Sequence, residues 1–381
     1  MGTEPVSETE LLRQTVRRLV ADKVEHADAE ADAERRWPHD LWRRLVGLDL
    51  AGVLVPAERG GAGGAASTAV VVAEELARGS GSLAWGWLEH TDATWILGAL
   101  GSEEVKARFL PRLASGELIG SALKATEAGG GSSPAGIATT ARAVDGGYVL
   151  NGRKVFQSMA GVADIYLVVA RIEPAPESGA LGVFLVERDC PGLSFGPAER
   201  TMGLRGLPIG DIVLDDCRVP DCHVVGAPGG FGAVVGHHAR LAPLLVAAIA
   251  LGLAESSLGE TVEFLVSRSV GGEPLASLPA IQLRLADLII EVEAIRGLLE
   301  RAEGGRGRPA LGALTKVAAT EAAARVIDAC ITLNGAAGYS AALPIERRAR
   351  DVRALAIHYG TNDQLRLIAA RAVLGAFRKE H

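Results

Sequence analysis

The chain has 381 residues and a formal net charge of −7; 48% of its residues are hydrophobic and 22% are charged. This is the composition of a globular protein, and its length predicts two or three domains. The acidic balance, with no block of Lys and Arg, argues against nucleic acid as a partner. The N-terminus shows no apolar secretory signal, and the longest apolar run, residues 241–254, is too short to span a bilayer. We therefore expect a cytoplasmic protein without a membrane span.

The cysteines indicate neither a metal site nor a disulfide framework. Their spacing does not match that of metal ligands, and structural disulfides are not typical of a chain of this size. We expect reduced thiols and no bound metal. The four are Cys190, Cys217, Cys222 and Cys330.

The first 118 residues carry helical periodicity. The first segment begins at Ser7, and Glu10 follows three residues later, which predicts a capping box. Four further segments repeat the periodicity, and each ends at a glycine, as helices often do. They are "PHDLWRRLVGLDLAG", "AASTAVVVAEELARGSG", "LAWGWLEHTDATWILGALG" and "SEEVKARFLPRLASG".

The middle of the chain, residues 119–226, is rich in predicted strands. An Asp-Gly-Gly turn at residues 145–147 separates two alternating stretches and predicts a hairpin. From Phe231 onward helices return, and two of them are apolar on several faces, which predicts a bundle that also contacts other subunits. The predicted helices span residues 231–268, 276–303, 309–334, 344–357 and 362–377.

Three stretches carry recognisable motifs. In "LKATEAGGGSS" (123–133) a strand enters a glycine-rich turn, whose N–H groups can bind a pyrophosphate, although most such turns are only loops. It is not the dinucleotide fingerprint, because no G-x-G-x-x-G opens a helix there. The others are "NGRKVFQSMAGVADIYLVVAR" (151–171) and "MGLRGLPIGDIVLDDCRVP" (202–220).

Together, in this order, the motifs resemble those of the acyl-CoA dehydrogenase family of flavoproteins. The C-terminal stretch "LNGAAGYSAALPIERRARDVRALAIHYGT" is also similar to the family's glycine-rich helix end, Arg-Asp helix and terminal active-site turn. The matching residues are Thr126, Glu127, Gly131 and Ser132; Asn151, Gly152, Lys154, Ala163 and Asp164; Gly203, Leu204, Arg205 and Gly206; and Arg218, Val219 and Pro220.

The resemblance implies an α+β fold of three domains and a bound FAD. These are an N-terminal helical domain (1–118), a middle β-barrel-like domain (119–226) and a C-terminal four-helix bundle (227–381). It also implies a homodimer or homotetramer, in which Arg268 reaches the FAD pyrophosphate of a neighbouring subunit. The other implied FAD-binding residues are Leu123, Ala125, Thr126, Gly131, Ser132, Phe156, Ser158 and Thr361.

The resemblance also points to a missing catalytic group. The family oxidises acyl thioesters: a carboxylate removes the α-proton while hydride passes to the flavin. In most members this base is a Glu directly before the Gly-Thr of the terminal turn, but here that residue is Tyr359. A minority carry the Glu on the first long helix of the last domain, where residues 240–245 contain no acid.

Three residues are candidate replacements: Tyr359, His358 and Glu89. We expect only one of His358 and Tyr359 to point inward, because adjacent residues on a helix face different directions. Glu89 lies, with His90, on a helix expected to line the acyl cavity. Glu127, in the glycine-rich turn, is expected to shape that turn rather than act as the base.

Several functions remain compatible with this sequence. The first is an FAD-dependent oxidoreductase acting on an acyl thioester of CoA or a carrier protein, with an electron-transferring flavoprotein or oxygen as acceptor. The second is a flavin monooxygenase on the same fold. The third is a non-catalytic subunit that completes the flavin site of an active partner. Non-redox chemistry at the thioester is the fourth.

Overall fold

The computed structural model describes residues 7–129, 133–175, 180–304 and 309–380. Gly131 and Ser132 lie outside the described residues. The helices before the sheet are α1 (Glu8–Leu19), α2 (Glu25–Glu34), α3 (His39–Val46), α4 (Ala66–Gly79), α5 (Gly81–Leu100) and α6 (Glu103–Ala114). The strands of the middle block are β1 (Gly120–Lys124), β2 (Thr140–Val144), β3 (Gly147–Ser158), β4 (Ile165–Glu173), β5 (Leu181–Glu187), β6 (Leu193–Phe195) and β7 (Ile209–Pro220). The last block contains α7 (Phe231–His238), α8 (Ala242–Ser267), β8 (Ser269–Val270), β9 (Glu273–Pro274), α9 (Pro279–Gly304), α10 (Pro309–Asn334), α11 (Ala336–Tyr339), α12 (Ile345–Leu355) and α13 (Asn362–Glu380).

This order confirms the predicted fold class, with a helical N-terminal domain, a central sheet domain and a helical C-terminal domain. The N-cap of α1 is also confirmed, because the Ser7 hydroxyl accepts a hydrogen bond from the Glu10 amide at 3.2 Å. In the N-terminal domain, α5 is buried on all its faces, including at its polar residues Glu89, His90 and Asp92. Those side chains must therefore find partners inside the protein.

The central domain is a seven-stranded sheet in the order β1-β4-β2-β3-β7-β6, with β5 paired to the other edge of β4. The predicted hairpin is confirmed, since β2 and β3 pair antiparallel up to Val144 and Gly147. Strand β1 runs parallel to β4 and packs against α5. The start of the motif at 123–133 therefore lies beside the polar residues of the buried helix.

The Gly-Leu-Arg-Gly motif forms a joint between the three domains. The Leu204 amide donates to Oδ1 of Asp351 on α12 at 2.5 Å, and the Gly206 amide donates to the Ser82 hydroxyl on α5 at 3.2 Å. Gly203 lies against the backbone of α12, where an added Cβ would come within 2.3 Å of the Arg350 carbonyl carbon. A side chain at this glycine would separate the central and C-terminal domains.

In the C-terminal domain, α10 packs against α8, α9, α12 and α13. The prediction of one helix over residues 231–268 was wrong, because the structure has two, α7 and α8. Pro243 occupies the first turn of α8, where proline is tolerated because that turn's N–H groups have no intrahelical partner. The segment Phe231–Ser267, which contains α7 and α8, is long and apolar enough to cross a membrane by length and composition. However, 89% of its most apolar 18 residues are buried inside the protein, as in a core helix.

Lys316 on α10 holds the turn between α12 and α13. Its buried ammonium donates to the Gly360 carbonyl and to Oδ1 of Asn362, both at 2.9 Å. Thr361 and Gln364 complete a capping box for α13, because each side chain accepts a hydrogen bond from the other residue's amide. The turn backbone is thus fixed by groups outside residues 358 and 359.

We expect Gly252→Ala on α8 to lower the melting temperature. A Cβ there would lie 2.1 Å from the Glu74 carbonyl oxygen of α4, so the two helices would have to move apart, at about 1–3 kcal/mol. Gly259→Ala on the same helix is the control, since nothing lies within 4 Å of its added Cβ. Equal melting temperatures for the two variants would contradict the close packing of α4 and α8.

We expect Lys316→Met to change how stability depends on pH. Burial lowers the pKa of Lys316 from 10.5 to about 8. As pH rises through this range the folded state loses a proton that the unfolded state keeps, so the wild type gains stability with pH. The free energy of unfolding of the wild type minus that of the variant should increase by about 1–3 kcal/mol from pH 8 to 10.5, measured by denaturant unfolding. The matching change at the exposed Lys23 should show no such growth.

Candidate active site

The turn after α12 brings Tyr359 against two aromatic residues of the core. Its ring meets Trp85 edge-on at 5.3 Å between centroids and stacks on His238 at 5.2 Å. The Tyr359 hydroxyl is buried close to the Glu89 carboxylate, but no described residue accepts from it at hydrogen-bond geometry. Burial raises the pKa of this phenol far above its usual value, and the nearby charges of Glu89 and Asp92 raise it further. Tyr359 is therefore a hydrogen-bond donor rather than a base at neutral pH.

The prediction that only one of His358 and Tyr359 points inward was wrong. The His358 ring also contacts Trp85 edge-on, at 5.1 Å. Both rings reach the same tryptophan because Tyr359 has φ = 54°, so the chain has already left the helical geometry on which the prediction rested. Burial lowers the pKa of His358, and the positive charges of Lys124 and Lys316 lower it further.

Glu89 lies in the same cluster, and its carboxylate is paired with Lys124. Its Oε2 accepts hydrogen bonds from Lys124 Nζ at 2.7 Å, from the Ser121 hydroxyl at 3.0 Å and from the Ala122 amide at 3.1 Å. Glu89 and Lys124 are both almost fully buried. Three donors from β1 converge on this one oxygen, which favours a role in joining α5 to β1.

The structure adds two residues that the sequence analysis missed, Asp92 and His238. Oδ2 of the fully buried Asp92 lies 2.7 Å from Nδ1 of His238. Burial opposes the imidazolium, but the charge and hydrogen bond of Asp92 outweigh it and raise the pKa of His238. The one available signal was an aspartate three residues after Glu89 in a mainly apolar helix.

Phe156 and Ser158 lie at the end of β3, beside the start of the glycine-rich turn. Phe156 has φ = 53° and its side chain is 61% exposed, so an apolar ring is presented outward on an unfavourable backbone conformation. The Thr126 carbonyl accepts from the Val155 amide at 3.0 Å. The Ser121 hydroxyl lies 3.2 Å from the Ser158 carbonyl, which connects this strand to the Glu89 cluster.

Glu127 binds the chain that follows the turn and β3, which fits a structural role rather than that of the base. Its carboxylate accepts from the Ala138 amide at 2.8 Å, from the Thr139 hydroxyl at 2.7 Å and from the buried ammonium of Lys154. Burial alone would raise the pKa of Glu127, but these donors lower it. The carboxylate is thus committed to holding residues 138–139 and β3 together.

The remaining predicted residues lie at three places. Leu123 and Ala125 are half-buried at the end of β1, which pairs only with β4 among the described strands. Thr361 caps α13. Arg268 is exposed at the end of α8, and its guanidinium forms no ion pair with the described residues. The structure thus brings Tyr359, His358 and Glu89 together, and leaves the guanidinium of Arg268 exposed.

Family models match the chain in three consecutive parts. The acyl-CoA dehydrogenase N-terminal domain matches residues 7–117, the middle domain residues 122–217 and the C-terminal domain residues 231–374.

Individual relatives agree over the whole length. Benzylmalonyl-CoA dehydrogenase of Aromatoleum aromaticum is 34% identical and the match covers 98% of this chain and 100% of the relative. The structure of butyryl-CoA dehydrogenase from Megasphaera elsdenii is 26% identical, with a TM-score of 0.92 over 98% of this chain and 100% of the other. The FAD complex of PigA is also 26% identical, with a TM-score of 0.90 over 98% and 99%. The chain belongs to the acyl-CoA dehydrogenase family.

Proposed function

We propose that the protein is an FAD-dependent oxidoreductase that acts on an acyl thioester carried by CoA or a carrier protein. The observation that carries the proposal is Phe156. An exposed aromatic ring held at φ = 53° costs free energy, and a planar ligand stacked on it would offset that cost. The acyl-CoA substrates in the names of the relatives support the thioester as substrate class.

The residues present fit a flavin. Phe156 offers an aromatic face, Thr126 and Ser158 offer polar groups on the adjoining strands, and Leu123 and Ala125 offer the unpaired edge of β1. Gly131 and Ser132 are proposed for the pyrophosphate, and Thr361 for contact with the cofactor. When bound, FAD would supply an acceptor for the β-hydride of the acyl group. The electrons would then leave to an electron-transferring flavoprotein or to dioxygen.

The side chains around Tyr359 would act on the acyl end of the substrate. The unpartnered hydroxyl of Tyr359 is placed to donate a hydrogen bond, and a donor aimed at the thioester oxygen stabilises enolate charge. Trp85, fully buried beneath Tyr359 and His358, closes one side and excludes water. His358, with its lowered pKa, would be neutral at pH 7 and would not add a charge beside the thioester.

A homo-oligomer would complete the site. Leu283 and Ile290 on α9 are 70% and 65% exposed, and Val373 and Leu374 on α13 are 63% and 62% exposed. Exposed apolar residues on two helices of one domain are typical of a subunit interface. Arg268, at the end of α8, would then reach the FAD pyrophosphate of the neighbouring subunit with a charge-assisted contact.

We expect Arg268→Ala to weaken FAD binding. Loss of one hydrogen bond to a charged group costs about 1.5–3 kcal/mol, which corresponds to roughly 10- to 100-fold in Kd. FAD per subunit and Kd are measured by flavin absorbance and fluorescence. Arg44→Ala, at another exposed arginine, is the control. Equal FAD affinity in the two variants would show that Arg268 does not contact the cofactor.

We expect Tyr359→Glu to accelerate flavin reduction by saturated acyl-CoAs, because it restores a carboxylate at the family's usual position. General-base catalysis contributes about 10²–10⁴-fold, and a gain of about 10²-fold is expected in anaerobic stopped-flow traces. Tyr359→Gln, which has the same size but no charge, should show no gain. If Tyr359→Glu binds FAD normally and gains nothing, the lack of a carboxylate at position 359 does not limit flavin reduction, and either another residue is the base or the oxygenase or the partner-subunit function applies.

A further inference from the structure

Proton removal from the acyl α-carbon needs a base that the usual positions do not supply. Tyr359 occupies the first of these positions and is held in its protonated form by burial. The stretch 240–245, at the second position, reads RLAPLL and contains no acid. Another group that faces the same cavity must take the proton if the proposed oxidation occurs.

Besides Asp92, which is bound to His238, three ionisable side chains lie around Tyr359, and they differ in how they are held. Glu89 has one oxygen fixed by three donors, one of them the ammonium of Lys124. The His358 ring makes no hydrogen bond with the described residues, so nothing among them fixes its tautomer. His238 has an orienting partner on one nitrogen and no partner among the described residues on the other.

We propose that His238, oriented by Asp92, is the base that removes the α-proton of the acyl thioester; the inference rests on the proposed function and names a residue for its first step. The His238 ring stacks on Tyr359, with an angle of 24° between the rings, so it lies beside the position where the family carries its carboxylate. Its side chain keeps 16% exposure, whereas Asp92 is fully buried behind it.

The hydrogen bond to Asp92 selects the tautomer that the reaction needs. In neutral His238, Nδ1–H donates to Oδ2 of Asp92 at 2.7 Å, which leaves the lone pair on Nε2. Nε2 takes the α-proton, the Cα–H bond breaks, and its electron pair forms the enolate of the thioester. The imidazolium stays beside the Asp92 carboxylate, which stabilises its charge. No net charge is created in the step.

The groups around His238 determine its pH dependence. Asp92 and Glu89 on α5 favour the imidazolium, the Tyr359 phenol faces its ring, and His237 is adjacent on α7. The raised pKa of His238 predicts proton removal that increases with pH, because only the neutral ring accepts a proton. Replacing Asp92 by Asn removes the main group that raises this pKa.

The test is exchange of the α-hydrogens of acyl thioesters in D₂O, which needs no flavin reduction. The FAD-bound protein is incubated without oxygen with butyryl-CoA, octanoyl-CoA and 3-phenylpropionyl-CoA, and deuterium at the α-carbon is measured by mass spectrometry. We expect exchange in the wild type and a loss of about 10²-fold or more in His238→Gln. His237→Gln is the matched control, because His237 instead stacks on Trp95 and binds its carbonyl; it should keep wild-type exchange.

The Asp92→Asn variant tests whether Asp92 orients the His238 ring for proton transfer or only supports the fold. Its exchange should fall about 10-fold or more, with the midpoint of the pH profile moved to lower pH. Histidine NMR titration, with or without FAD, should show the same movement for His238. Exchange retained in His238→Gln, or exchange absent from the wild type with every probe, overturns the inference. Exchange lost in Asp92→Asn but kept in His238→Gln assigns the proton transfer to Asp92 instead. Exchange that requires His238 without any flavin reduction upholds the base and overturns the proposed oxidation.

Discussion

The burial of α5 on all its faces is the constraint on which this site depends. A polar side chain on a helix without a solvent face must be matched by another part of the protein, or its burial costs several kcal/mol. Glu89 is matched by Lys124 of β1 and Asp92 by His238 of α7. His90 accepts from the Gly120 amide, and its other nitrogen lies 3.1 Å from the Ala51 carbonyl. These matches tie α5 to β1, to α7 and to the segment after α3, so the same contacts that satisfy the helix also bring the site residues together.

This arrangement places each carboxylate of α5 beside a basic side chain. Each of the two carboxylates on α5 faces a cationic or ionisable partner, and burial lowers the pKa of His90 to about 4, which leaves that ring neutral. Tyr359 and His358 are also uncharged at pH 7 by the same effect. An uncharged thioester entering such a site meets hydrogen-bond donors rather than strong fields, and any charge that develops on it is stabilised by groups already in place.

The sequence predicted the parts of this structure that local patterns determine. The order of helices and strands and the hairpin at residues 145–147 follow from patterns within a few residues of one another. The division of residues 231–268 into α7 and α8 was missed because the sequence around residues 238–242 contains no clear signal for the end of a helix. Asp92 and His238 are 146 residues apart, and Lys316 and Gly360 are 44 apart. Such pairs meet only in the folded protein, and no short motif contains them.

Lys316 holds the terminal turn through groups other than the side chain at position 359, so that side chain can change in evolution. The ammonium binds the Gly360 carbonyl and the Asn362 side chain, so the loop path does not depend on the side chain at position 359. The left-handed backbone there is about equally unfavourable for tyrosine and for glutamate. A mutation at this position therefore alters the chemistry of the cavity while leaving the scaffold almost unaffected. Position 359 can therefore be substituted, whereas Lys316 and Asn362 are needed to hold the turn.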